Sequence, residues 1–93
     1  MPRVTWNDDK NLWLQEHRGI SFEDVVAHIE AGNIVTVLEH PNPAHTGQQI
    51  AVVVIDDYAW AVLHRRDGDE MVLITAFPGR TLTRRWCRSD DNA

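Results

Sequence analysis

The stretch Gln49–Phe77, QIAVVVIDDYAWAVLHRRDGDEMVLITAF, decides the fold. Gln49 to Ile55 is dense in β-branched residues and reads as a strand. Asp56-Asp57 makes a tight turn, and Tyr58 to His64 returns as a second strand. Arg65 to Asp69 carries Asp67-Gly68, a strong hairpin signal, so Glu70 to Phe77 is a third strand. Pro78-Gly79 breaks it.

Upstream, Ile34-Val35-Thr36-Val37-Leu38 is short and β-branched, a further strand. It is separated from Gln49 by His40 to Gly47, where Pro41, Pro43 and Gly47 exclude a central strand. The pattern before Ile34 is helical. Asn7 or Asp8 caps a helix that runs to about Arg18, and Gly19 ends it. Trp6, Lys10, Trp13, Leu14 and His17 recur at three- and four-residue spacing and give that helix one partly apolar face. Ser21, with Asp24 three residues on, forms a short-armed capping box for a second helix. Phe22, Val25, Val26 and Ile29 make its apolar stripe, and Ala31-Gly32-Asn33 closes it. Thr81 to Arg88 reads as a short helix, and Ser89 to Ala93 is expected to fray. The expected fold is therefore α+β: two N-terminal helices packed on a four-stranded antiparallel sheet, with a short basic C-terminal helix.

With 93 residues, one domain spanning 1–93 is the natural count. The hydrophobic fraction of 43%, with four Trp, allows a modest core. A single cysteine, Cys87, cannot make an intramolecular disulfide, which suits a reducing compartment. The N-terminal residues lack the apolar run of a signal peptide, and the longest apolar stretch, around Ile50 to Ile55, is too short to span a bilayer. A soluble, cytoplasmic protein with no membrane partner is expected.

Charge is unevenly placed. The chain carries a formal net charge of −5, yet Arg80, Arg84, Arg85 and Arg88 crowd its end with no acid between them. Such a cluster concentrates positive potential where a phosphate backbone or an acidic partner can sit. Asp8, Asp9, Glu16, Glu23, Asp24 and Glu30 make the helical third acidic instead.

Trp6-Asn7-Asp8-Asp9-Lys10-Asn11, then Arg18-Gly19-Ile20-Ser21-Phe22-Glu23-Asp24, then Pro78-Gly79-Arg80-Thr81-Leu82-Thr83-Arg84-Arg85 resemble the BrnT family of bacterial toxins, from Trp6 to Trp86. The block Gly19 to Asp24 is the most specific part, placing a helix stop, a cap and an apolar anchor in one order. The chain differs from many members in having Arg18 where they have His, and Pro78-Gly79 where they have Ser-Ala. The resemblance implies a RelE-like ribonuclease fold and RNA cleavage that arrests translation. It implies a ribbon-helix-helix antitoxin as partner, through which alone operator DNA would be bound. No cofactor is implied.

Metal-free RNA cleavage needs a base for the 2′-hydroxyl proton, a cation for the pentacoordinate phosphate and an acid for the leaving oxygen. Arg80 matches the family arginine and is the candidate for phosphate stabilisation; an ion pair with Glu23, Asp24 or Glu39 is the structural alternative. Histidine ordinarily titrates near neutrality, which makes His64 and His17 the candidates for proton transfer. His64 is read as a strand end that pairing could bring near Arg80. Lys10 matches the family lysine as a phosphate contact, or else pairs with Asp9 or Glu16; Arg65, Arg84 and Arg85 are the remaining candidates for RNA contact. Trp60, inside a strand, is expected in the core. His40 and His45 supply only two ligands in one loop, so no specific metal site is expected.

Two other functions are compatible with the sequence. One is a protein-interaction module of the same fold that binds an antitoxin or repressor with little or no catalysis, favoured by the acidic helices. The other is a nucleic-acid-binding protein without catalysis. An exposed sheet edge at Ile34–Leu38 or at Glu70–Phe77 would admit a partner strand.

Overall fold

In the computed structural model, which describes residues 3–39 and 47–86, local signals place the helices where the sequence puts them. Asn7 is extended, and its side chain accepts a hydrogen bond from the Lys10 N–H at 3.0 Å, so helix α1 runs Asp8–Arg18. Gly19 ends it in the left-handed region at φ 67, a conformation that a Cβ would strain. Ser21 caps α2, Phe22–Glu30. Its Oγ accepts from the Asp24 N–H at 3.1 Å, and the Asp24 carboxylate accepts from the Ser21 N–H at 3.2 Å.

The strands are β1 Arg3–Trp6, β2 Ile34–Glu39, β3 Gln48–Ile55, β4 Tyr58–Asp67 and β5 Glu70–Pro78, followed by helix α3, Arg80–Trp86. They form one sheet in the order β1-β5-β4-β3-β2. The expected four-stranded antiparallel sheet is thus corrected to a five-stranded mixed one. The two N-terminal helices and the short basic C-terminal helix are present, but a strand precedes them. β1 pairs parallel to β5, in the register Arg3↔Glu70 to Trp6↔Leu73. The reason is packing. Val4 and Trp6 point inward beside Met71 and Leu73, and the Trp6 ring lies 5.7 Å from that of Phe22. Trp6, assigned from its spacing to the first helix, belongs to this strand.

One core cluster fills the face covered by α1 and α2. It contains Leu14, Phe22, Val25, Ala51, Val53, Val62, Leu73 and Ala76, with Trp60 packed against it. Val52, Ala59 and Ala61 are buried outside that cluster, on the opposite face by strand alternation, and α3 packs against β4. β4 extends to Asp67, past the expected end at His64, and the β4–β5 hairpin turns at Gly68-Asp69. No helix among the described residues is long and apolar enough to cross a membrane. The fraying expected at 89–93 falls outside the described residues.

Candidate functional site

Helical periodicity splits the expected apolar face of α1 in two. Asn11 and Leu14 turn inward and are buried. Lys10, Trp13 and His17 form the neighbouring stripe, and Trp13 is 37% exposed.

On that stripe the basic groups collect around one indole. The Lys10 Nζ lies 4.1 Å from the Trp13 ring centroid and the Arg18 guanidinium 4.8 Å from it. The His17 imidazole stacks on the same ring at 4.4 Å, with 14° between the planes. Neither Asp9 nor Glu16 takes Lys10 into an ion pair. Cations held against an aromatic face are stabilised by about 0.5–1 kcal/mol each at exposed sites, enough to bias long side chains toward one arrangement. The His17 Nδ1 lies 3.0 Å from the Trp13 carbonyl oxygen. A carbonyl only accepts, so the neutral ring carries its proton on Nδ1 and leaves the Nε2 lone pair free of that bond.

Arg18 ties this patch to the sheet. β1 accompanies β5 only as far as Leu73, so among the described residues the rest of β5 has no strand neighbour on that side. The Arg18 Nη1 donates to the Ala76 carbonyl there at 2.6 Å, and its guanidinium lies 5.9 Å from the half-exposed Phe77 ring. Pro78 and Gly79 join Phe77 to α3. Neither Arg18 nor Phe77 was a sequence candidate. The contact joins positions 58 residues apart, and nothing in local spacing announces it.

α3 presents the basic cluster. Thr83 anchors it: its Oγ1 donates to the Gly79 carbonyl at 2.7 Å and accepts from the Ala59 N–H at 2.9 Å. With Thr83 buried, Arg80, Arg84 and Arg85 are exposed. Arg80 and Arg84, four apart, share a helix face. None of Glu23, Asp24 and Glu39 forms the alternative ion pair with Arg80.

His64 is elsewhere. It pairs with Leu73, whereas Pro78, just before Arg80, pairs with Trp60. Four positions along β4 correspond to about 13 Å, so pairing separates His64 from Arg80. His64 is also 3% exposed. Burial pushes its pKa below the ordinary value, the Val62 carbonyl opposes this and Arg66 adds to it. Arg65 lies beyond His64 on the same strand, in an exposed pair with Asp67 at 3.9 Å, a contact of little energetic weight. Trp60 packs on the core as expected. His40, His45, Cys87 and Arg88 lie outside the described residues.

The structure therefore gathers Lys10 and His17 with Arg18, brings Arg18 to Phe77, and leaves His64 and Arg65 apart. No protein-family model matches the chain, and no curated protein or solved structure matches it significantly.

Proposed function

We propose that this chain is the toxin half of a type II toxin–antitoxin pair, BrnT-like in kind, and that it cleaves RNA without a metal ion on the α1–β5 surface. The observation that supports this reading is the convergence of Lys10, His17 and Arg18 on Trp13. Lys10 and Arg18 would hold the phosphate, and the free Nε2 of His17 would take the 2′-hydroxyl proton. Arg80 and Arg84 would carry the backbone onward along α3. Aromatic faces among cations also suit single-stranded RNA. The test is induced expression in a bacterium, scoring growth and RNA integrity beside His17→Ala and Arg80→Ala. Arrest with RNA decay that both variants lose supports the reading; normal growth at good soluble yield sinks it.

A second reading, a module that binds an antitoxin with little catalysis, draws on β2. That strand is a sheet edge, and it exposes Val35, Val37 and Leu38, a surface suited to strand addition by a ribbon-helix-helix partner. A soluble, non-toxic chain that still captures such a partner would favour it.

A further inference from the structure

A cavity of about 430 Å³ opens between the α1–α2 junction, α2 and the tip of the β3–β4 hairpin. Its volume falls within the roughly 300–1,000 Å³ typical of small-ligand sites. The wall includes Ile20, Asp24, His28, Asp56, Tyr58 and Trp60. None of these residues belongs to the α1–β5 surface.

Its chemistry is one-sided. Asp24 and Asp56 bring two carboxylates, and no basic side chain among the described residues pairs with either. One oxygen of Asp24 is committed to the Ser21 N–H at 3.2 Å. The other accepts no such bond from the described residues. The His28 Nδ1 lies 2.8 Å from the Asp24 carbonyl oxygen, so the neutral ring turns an acceptor, Nε2, to its other side. Tyr58 and Trp60 supply aromatic rings, whose negative faces attract cations. No Lys or Arg among the described residues lines the cavity. An anion would meet two carboxylates with no cationic side chain among the described lining residues to offset them, whereas a planar cation meets acidic partners and aromatic residues to stack on.

We propose that this cavity is a binding site for a guanidinium group, with Asp24 and Asp56 as its charge partners and Tyr58 and Trp60 as its stacking wall. The group can come from a free small molecule or from an arginine side chain of a partner protein.

The test is a nuclear magnetic resonance titration of the labelled full chain with three probes: agmatine, acetyl-Ala-Arg-Ala-amide and acetyl-Ala-Gln-Ala-amide. The first two are expected to shift the amides of Gly19, Ile20, Asp56 and Trp60, and the glutamine peptide to leave them in place. Tighter binding of the arginine peptide than of agmatine assigns the site to a partner side chain; the reverse assigns it to a free cation. Asp56→Asn removes one charge and keeps a residue tolerant of the turn conformation, so the fold survives, and affinity should drop roughly tenfold. Tyr58→Leu, at a half-exposed position, should weaken binding independently. Absence of shifts with both guanidinium probes overturns the proposal. So does an equal response to the glutamine peptide, or undiminished affinity in both variants.

Discussion

The side-chain oxygen of Asn11 accepts a hydrogen bond from the backbone N–H of Phe22 at 2.7 Å. Phe22 opens α2, so its N–H is one of the donors that a helix leaves unpaired at its start. The Asn11 amide nitrogen donates in turn to the Glu23 carboxylate at 2.8 Å. One buried side chain of α1 thereby fixes the position of α2. Asn11→Ala should cost about 1–3 kcal/mol, the penalty for a buried polar group left without its partner, read as a lower urea midpoint. The same bond is the first cause that holds the Glu23 carboxyl below its ordinary 4.5, with its own backbone N–H second. A carboxyl so lowered stabilises the fold above its unfolded pKa, and the contribution is lost as pH falls through the folded value. The variant should therefore show a flatter fall in stability below about pH 4.5.

Thr83 provides the second test of an anchor. Thr83→Val keeps the shape but leaves the buried Ala59 N–H, paired at 2.9 Å in the native chain, without an acceptor. A loss of about 1–3 kcal/mol is expected, with α3 amides exchanging faster than the rest. Thr83→Ser retains the hydroxyl and should restore most of the loss. An unchanged midpoint in the valine variant would mean that α3 is not held through this residue.

What the sequence reveals about this fold follows how far apart the interacting groups are. The Asn7 cap, the Ser21–Asp24 box and the Asp56-Asp57 turn act within a few residues, and all three were legible. Trp6 was not, because four residues of strand are too few to show alternation, and the helical spacing to Lys10 and Trp13 matched by coincidence. Its partner strand begins at Glu70, and no local pattern points there. The site divides the same way. Lys10 and His17 were visible as candidates on one helix. Their convergence with Arg18 and Phe77 depends on the edge of β5 being left open beyond Leu73. His64 was misread as a strand end because Arg65 and Arg66 look like loop; they are the exposed continuation of β4.

The β3–β4 turn should accept a stabilising change. Asp56 and Asp57 both sit at positive φ, 53 and 64, the requirement of a type I′ turn, for which Asn-Gly is preferred. The double substitution Asp56→Asn with Asp57→Gly is expected to raise stability by about 0.5–1 kcal/mol, seen as a higher thermal midpoint. A lower midpoint would show that the two carboxylates contribute interactions beyond the turn.

Trp13 should matter to activity more than to stability. It is too exposed to carry the core, but Lys10, His17 and Arg18 all rest on its ring. Trp13→Ala would release the three side chains and should lower the proposed RNA cleavage roughly tenfold to a hundredfold, the scale of misplaced catalytic groups. The urea midpoint should move little. Full activity in this variant would remove the indole from the proposed surface.

The two candidate histidines make opposite predictions. Burial lowers the His64 pKa below the ordinary 6.5 in the fold, while the unfolded chain titrates as usual. Its contribution to stability is therefore complete above about pH 6.5 and lost as pH falls toward the lowered folded value, below which both states are protonated. His64→Leu removes the group, and the difference between wild type and variant should narrow or reverse as pH drops from about 7.5 to about 5. His64 also lies about 13 Å along the strand from the residue paired with Pro78, so the folded His64→Leu protein should retain the proposed RNA cleavage. His17→Ala, at an exposed position, should keep its stability and lose cleavage. If the two outcomes are exchanged, the proton acceptor lies on β4, and the sheet must open to admit RNA.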